Sequence, residues 1–244
     1  MGELHLEILI DRLDREFKVK VNRGEPQVSY RERITRSAQG EGKFVRQVPS
    51  GQGQFGHVLV KIEPREHGLG NVVENAIVPG TIPKVFVPGV LQGVKDATDN
   101  GVLAGYPVMD TKISVVGGSF HEVDSTEIAF KIAAAMAVKD ALQRAASRLQ
   151  EPIATLEISV PEDFLGSVIG DLNSRRGKVS SITARGNLQI VQGVCPIAEL
   201  FGYATDIRSL TQGRASFSIQ VSHFDAMPEK LEREILVRLG RVTA

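Results

Sequence analysis

Residues 115–139 read VVGGSFHEVDSTEIAFKIAAAMAVK, and this stretch organises the chain. An apolar strand pattern runs into Gly117-Gly118, a polar loop follows, and then comes the longest helical pattern in the sequence. Asp124 followed three residues later by Glu127 has the spacing of a capping box, which predicts a helix from Ser125. Ile128, Ile132 and Met136 recur at four-residue intervals and predict its apolar stripe. The small residues Ala133, Ala134, Ala135 and Ala137 let a neighbour approach closely. His121 is left in the loop ahead of the helix, free to point outward.

Around this element the pattern is that of two complete domains behind an incomplete one. Residues 3–17 predict an amphipathic helix with Leu6, Ile10, Leu13 and Phe17 on one face. Extended chain follows, and one helix with one strand makes too small a core to stand alone. The opening therefore reads as half a domain, its apolar face mobile or covered by another molecule, and the chain as a piece of something longer. Residues 31–42, RERITRSAQGEG, are polar and predict a solvated crossing. Strands at 43–48, 57–63 and 108–116 and a helix at 83–98 predict an α+β domain over about 40–148. Gln150-Glu151-Pro152 marks the next boundary. Beyond it the predicted order is strand (154–160), helix (162–173), strand (178–184), strand (188–195), helix (196–207) and strand (215–221). That is the ferredoxin-like split βαβ order, with a charged helix at 228–239 added.

Composition narrows the function. Lys+Arg and Asp+Glu number 29 each, so any contact with nucleic acid needs a local basic patch. The single cysteine, Cys195, excludes an internal disulfide and fits a reducing, cytoplasmic setting. No apolar run reaches the roughly 18 residues of a membrane-spanning helix, so no membrane partner is expected. Gly51, Gly53 and Gly56 match a dinucleotide fingerprint, but a strand follows where the pyrophosphate needs a helix N-terminus. His121, Asp124 and Ser125 lack the nucleophile elbow and oxyanion loop of a hydrolase. The five histidines show no metal-ligand spacing. No catalytic, cofactor or metal residue is therefore assigned. Asn173-Ser174-Arg175-Arg176-Gly177-Lys178 forms a basic turn at a helix end, which suits either the helix dipole or an RNA backbone.

Six stretches together carry a resemblance: GELHLEI (2–8), GQFGHV (53–58), NGVLAGYPV (100–108), GSFHEVDSTEIAFK (118–131), PEDFLGSVIGDLNSRRG (161–177) and ELFGYATDIRSLTQGRASFS (199–218). In order and spacing the chain resembles the C-terminal part of bacterial-type elongation factor G, a translational GTPase. The resemblance implies an α+β architecture. Residues 1–36 would end the third domain, 37–151 would be a ribosomal-protein-S5-like fourth domain, and 152–244 a ferredoxin-like fifth domain with its terminal helix. It implies a monomeric ribosome-binding piece of a factor that moves transfer RNA and messenger RNA. GTP and Mg would sit on an absent N-terminal domain, and the piece itself would lack catalytic activity. His121, Gly118, Ser119, Glu122, Val123 and Asp124 would form one loop of the tip that enters the decoding region. Ser50, Gly51, Gln52, Gly53, Gln54 and Phe55 would form the other. Asn173, Ser174, Arg175, Arg176 and Lys178 would meet ribosomal RNA through the fifth domain. The family often carries Arg where this chain has Gln52. A second-copy factor in ribosome recycling and a ribosome-protection factor are the alternatives.

Overall fold

The computed structural model describes residues 3–21, 27–47 and 53–241. The chain divides into two compact units, Tyr30–Gln150 with Ala226–Ala244, and Met1–Ser29 with Glu151–Asp225. Both are α+β. The first helix, α1 (Glu3–Arg15), leaves Leu13 exposed and Ile10 half-buried, and Phe17, in the turn just beyond it, is exposed. The side chain of Leu6, placed on the same face by the sequence, lies outside the described residues.

In the first unit the segment expected to be a solvated crossing is ordered. It holds β1 (Arg31–Ile34) and most of β2 (Ala38–Arg46). Polarity misled the reading because the polar groups are satisfied internally. Glu32 is fully buried, and its carboxylate accepts hydrogen bonds from five successive backbone N–H groups, those of Val102, Leu103, Ala104, Gly105 and Tyr106, at 2.7–3.3 Å. β2 pairs antiparallel with β3 (Gln54–Pro64), and a short β4 (Val72–Asn75) lies parallel to β5 (Thr111–Ser119), giving the sheet order β2-β3-β5-β4.

Two helices cover one face of this sheet: α2 (Val87–Asn100) and α3 (Glu127–Arg144). The side chains of α3 turn opposite to the expected stripe. Ile128 is 63% exposed and Met136 43%, while Ala129, Phe130, Ala133, Ala134, Ala137, Val138, Ala141 and Leu142 are buried. The reason is distance. A Cβ on Gly40 or Gly42 of β2 would overlap the carbonyl oxygens of Ala137 and Ala133, and one on Gly93 of α2 would overlap that of Lys131. Backbones this close leave room only for alanine where α3 crosses Gly40, Gly42 and Gly93, while Phe130, Val138 and Leu142 fill the core beside these crossings. The start of α3 also differs from expectation. Thr126, not Asp124, is the N-cap, its hydroxyl accepting from Ala129 N–H at 3.2 Å.

The second unit has the expected order: the later part of β6 (Ser147–Pro161), α4 (Glu162–Ser174), β7 (Lys178–Arg185), β8 (Leu188–Pro196), α5 (Tyr203–Leu210) and β9 (Ser216–Ala226). β8 lies between β6 and β7, and β9 pairs with β6. Leu156, Ile158, Val160, Val168, Leu172, Val191, Tyr203 and Ile207 form its core. The helix expected over 196–207 is split. A 3₁₀ turn (Ile197–Leu200) stops at Phe201, and Gly202, at φ 78°, starts α5 afresh. Gln150-Glu151-Pro152, read as a boundary, is where the two units divide, and the chain passes through it as one continuous strand, β6, with Gln150 and Glu151 buried. The last helix, α6 (Glu229–Arg238), groups with the first unit. Its Glu232 accepts from Arg148 Nε at 2.6 Å and from Leu149 N–H at 3.1 Å.

Candidate nucleic-acid interface

The loop before α3 and the start of β3 meet at one end of the first unit. Asp124 ties them together. Its carboxylate accepts from Gly53 N–H at 3.1 Å, and its carbonyl accepts from Phe55 N–H at 2.8 Å. The residue expected to cap the helix thus clamps the two loops instead. Gly53 suits that position, since an added Cβ would stand 3.0 Å from the Asp124 carboxylate. Ser125 closes the loop on itself, its Oγ accepting from His121 N–H at 2.8 Å and its N–H donating to the His121 carbonyl at 3.2 Å.

His121 is over half exposed. Its Nδ1 accepts from Asp124 N–H at 3.2 Å and Val123 N–H at 3.4 Å. Nδ1 also lies 3.4 Å from Asp124 Oδ2, while Nε2 has no partner among the described residues. The ring centroid lies 6.3 Å from that of Phe55, whose other neighbour is Lys43, with Nζ 5.9 Å from the ring centre. Phe120 and Val123 are exposed beside it. Glu122 belongs to the same loop, whereas Gly118 and Ser119, expected in it, are the last residues of β5, opposite Val58 and His57. Gly118 admits no side chain, because a Cβ would overlap the His57 carbonyl. Of the companion loop, Gly53, Gln54 and Phe55 are described, whereas Ser50, Gly51 and Gln52 lie outside the described residues.

Sequence reasoning missed one linkage here. His57 Nδ1 lies 2.8 Å from Ser119 Oγ, and its Nε2 lies 3.0 Å from Glu41 Oε1. It joins β2, β3 and β5 at the base of the tip. The alternating inward pattern Val58, Val60, Ile62 was the available signal, since it puts His57 on the opposite face with Leu59 and Lys61.

The basic turn after α4 is built differently from its reading as a phosphate contact. Arg176 occupies the left-handed position at φ 62°, and Gly177 N–H bonds back to the Leu172 carbonyl at 2.8 Å, closing a Schellman motif. A non-glycine residue there costs about 1 kcal/mol. The cost is offset because the Arg176 guanidinium forms a two-pronged ion pair with buried Glu151 and a further contact to Glu199 at 3.3 Å. Arg175 is held equally firmly. It donates to Asp171 at 3.0 Å, to the Glu199 carbonyl at 2.9 Å and to Asp206 at 2.6 Å, and lies 5.1 Å from the Tyr203 ring centre. Burial alone would lower the pKa of either guanidinium, but the facing carboxylates outweigh it and raise both. These two cations are internal staples. Asn173, Ser174 and Lys178 remain exposed. Cys195 donates its thiol to the Arg175 carbonyl at 3.2 Å, and burial pushes its pKa up to about 11, so it stays a neutral thiol near pH 7. We predict that Arg176→Gln costs about 2 kcal/mol of stability, between the values for surface and buried pairs. Denaturant unfolding with unchanged RNA affinity would agree; weakened RNA binding at full stability would restore a phosphate role.

Among the described residues no helix is long and apolar enough to cross a membrane. The family model for elongation factor G, domain IV, matches residues 26–146, and that for the elongation factor G C-terminus matches 148–235. A crystal structure of a protein from Thermus thermophilus is similar over 99% of this chain, with 36% identity and a TM-score of 0.88. The chain spans 36% of that protein's length.

Proposed function

Since the chain belongs to the elongation factor G family, of which it carries domain IV and the C-terminal part, we propose that it is the ribosome-engaging portion of a translocase. The tip formed by residues 53–57 and 118–125 enters the decoding region behind transfer RNA and messenger RNA, while GTP and Mg act elsewhere in the complete factor. The supporting observation is the Asp124 clamp. Two loops that could each move alone are tied through one carboxylate and one carbonyl, directly ahead of an 18-residue helix packed on the sheet. Such a tip resists bending and blocks backward slippage sterically, with no bond-making step. His121 presents Nε2 for a hydrogen bond to RNA, and its ring offers a face for stacking. In the second unit, Asn173, Ser174 and Lys178 are the exposed groups left for ribosomal RNA.

The test is single-turnover translocation by the complete factor carrying His121→Ala. A loss of roughly tenfold, equivalent to about 1.4 kcal/mol in the barrier, with GTP hydrolysis unchanged, is expected. An unchanged rate would remove His121 from the mechanism. If translocation were absent in the unaltered factor and ribosome splitting or drug rescue present, the recycling or protection alternative would replace this reading.

A further inference from the structure

A second basic feature lies within the first unit, in a depression of about 390 Å³. It is lined by Asn100 at the end of α2, by Gly101, Val102 and Gly105 from the loop after it, by Lys139 and Gln143 from α3, and by Arg241. Lys139 and Arg241 have no ion-pair partner among the described residues, and no carboxylate lines the depression. Of the acids nearby, the Glu32 carboxylate lies behind Gly101 and is occupied by backbone N–H groups, and Asp140 on α3 pairs with Arg144 at 3.0 Å.

Each wall is held in place before any ligand arrives. The Glu32 carboxylate gathers the N–H groups of residues 102–106 and so holds the loop. Lys139 and Gln143 are one turn apart on the rigid helix α3. Arg241 follows a Schellman motif, with Gly240 at φ 66°, Gly240 N–H bonded to the Val237 carbonyl at 2.9 Å and Arg241 N–H to that of Leu236 at 2.9 Å.

We propose that this depression is a phosphate-binding site that receives a phosphodiester of an RNA strand. Two unneutralised cations flanked by side-chain amides suit a phosphate oxygen. The lining also argues for a strand over a small molecule. Val102 is its sole apolar residue, so no surface is present to hold a base or sugar ring, as a pocket for a free nucleotide requires. Such a phosphate is held as one of a row. The chain has zero formal charge, so this patch supplies attraction that the molecule as a whole does not. The affinity for phosphate stands on the geometry alone; its assignment to RNA rests on the ribosome-engaging function above.

The experiment measures binding of labelled single-stranded RNA to the 244-residue chain by anisotropy from 50 to 200 mM KCl, for the parent and for Lys139→Gln/Arg241→Gln. Both positions lie on the surface, and thermal melting checks that the fold is retained. Loss of two phosphate contacts should lower affinity roughly tenfold and reduce the log–log salt slope by about 1.4. Failure of the tip reading would show in the translocation rate of His121→Ala and failure of this one in the salt slope of the double variant, so the two are separable. Identical slopes for parent and double variant would overturn the proposal. Saturable shifts of the Gly101 and Gly105 amides with inorganic phosphate, without competition by RNA, would overturn the RNA assignment. Displacement of RNA by polyglutamate at equal charge concentration would overturn it in favour of an acidic protein segment.

Discussion

Glu32→Ala should destabilise the first unit by about 4 kcal/mol, the largest effect expected of any single substitution in it. The carboxylate is wholly buried and accepts from five consecutive N–H groups, those of residues 102–106. Removing it leaves the five N–H groups of a partly buried loop without their acceptor. Each buried donor left unpaired costs about 1–3 kcal/mol, though partial relaxation keeps the sum well below five times that. Glu32→Gln is the informative partner. It preserves shape but substitutes a donor for one acceptor oxygen and removes the charge, so it should recover only part of the loss. Chemical denaturation of the parent and both variants measures this, with hydrogen exchange of the amides of 102–106 reporting the local consequence. If Glu32→Gln matched the parent in both, the charge would have no part in holding the loop.

Gly42→Val should cost about 3 kcal/mol, at the upper end of the usual range for overpacking. The obstacle is the Ala133 carbonyl oxygen and the Ala137 nitrogen of α3, which are backbone atoms that no rotamer change can move aside. Accommodation requires helix and strand to separate, which opens the contacts of Ala133, Ala137 and Ala141 together. Because α3 also carries the tip loops, the protection of Gly53 and Phe55 amides should fall with it. The same substitution at Gly170, where an added Cβ meets nothing within 4 Å, is the control and should be nearly neutral. Equal melting temperatures for the two variants would show that the close approach of α3 to β2 is not required.

Much of the architecture was legible in residue order. The alternation through 154–160 and 188–195, with helical spacing between, identified the split βαβ unit because strands of two-residue period and helices of 3.6-residue period write different patterns. That two distant segments meet was legible too: the residues around His121 and those around Phe55 are brought together. What they do to one another was not. Asp124 and Thr126 are both chemically competent N-caps two residues apart, and only the approach of Gly53 and Phe55 decides that Asp124 clamps the loops and Thr126 caps the helix. The turn at 173–178 shows the same limit. Its positive charges are visible in the sequence, but Glu151, Asp206 and Glu199, which neutralise Arg175 and Arg176, lie more than 20 residues away in the chain.

Local periodicity thus settled the types and order of most elements, while the resemblance of six motif stretches, not periodicity, pointed to the family. Tertiary contact decided which face of α3 is buried, whether residues 31–42 are strand or linker, and which cations face solvent. The physical reason is common to all three. An alanine face, a charged strand residue and a paired arginine read as polar or neutral one residue at a time. Their burial depends on a glycine, a row of N–H groups or a carboxylate supplied by a distant segment.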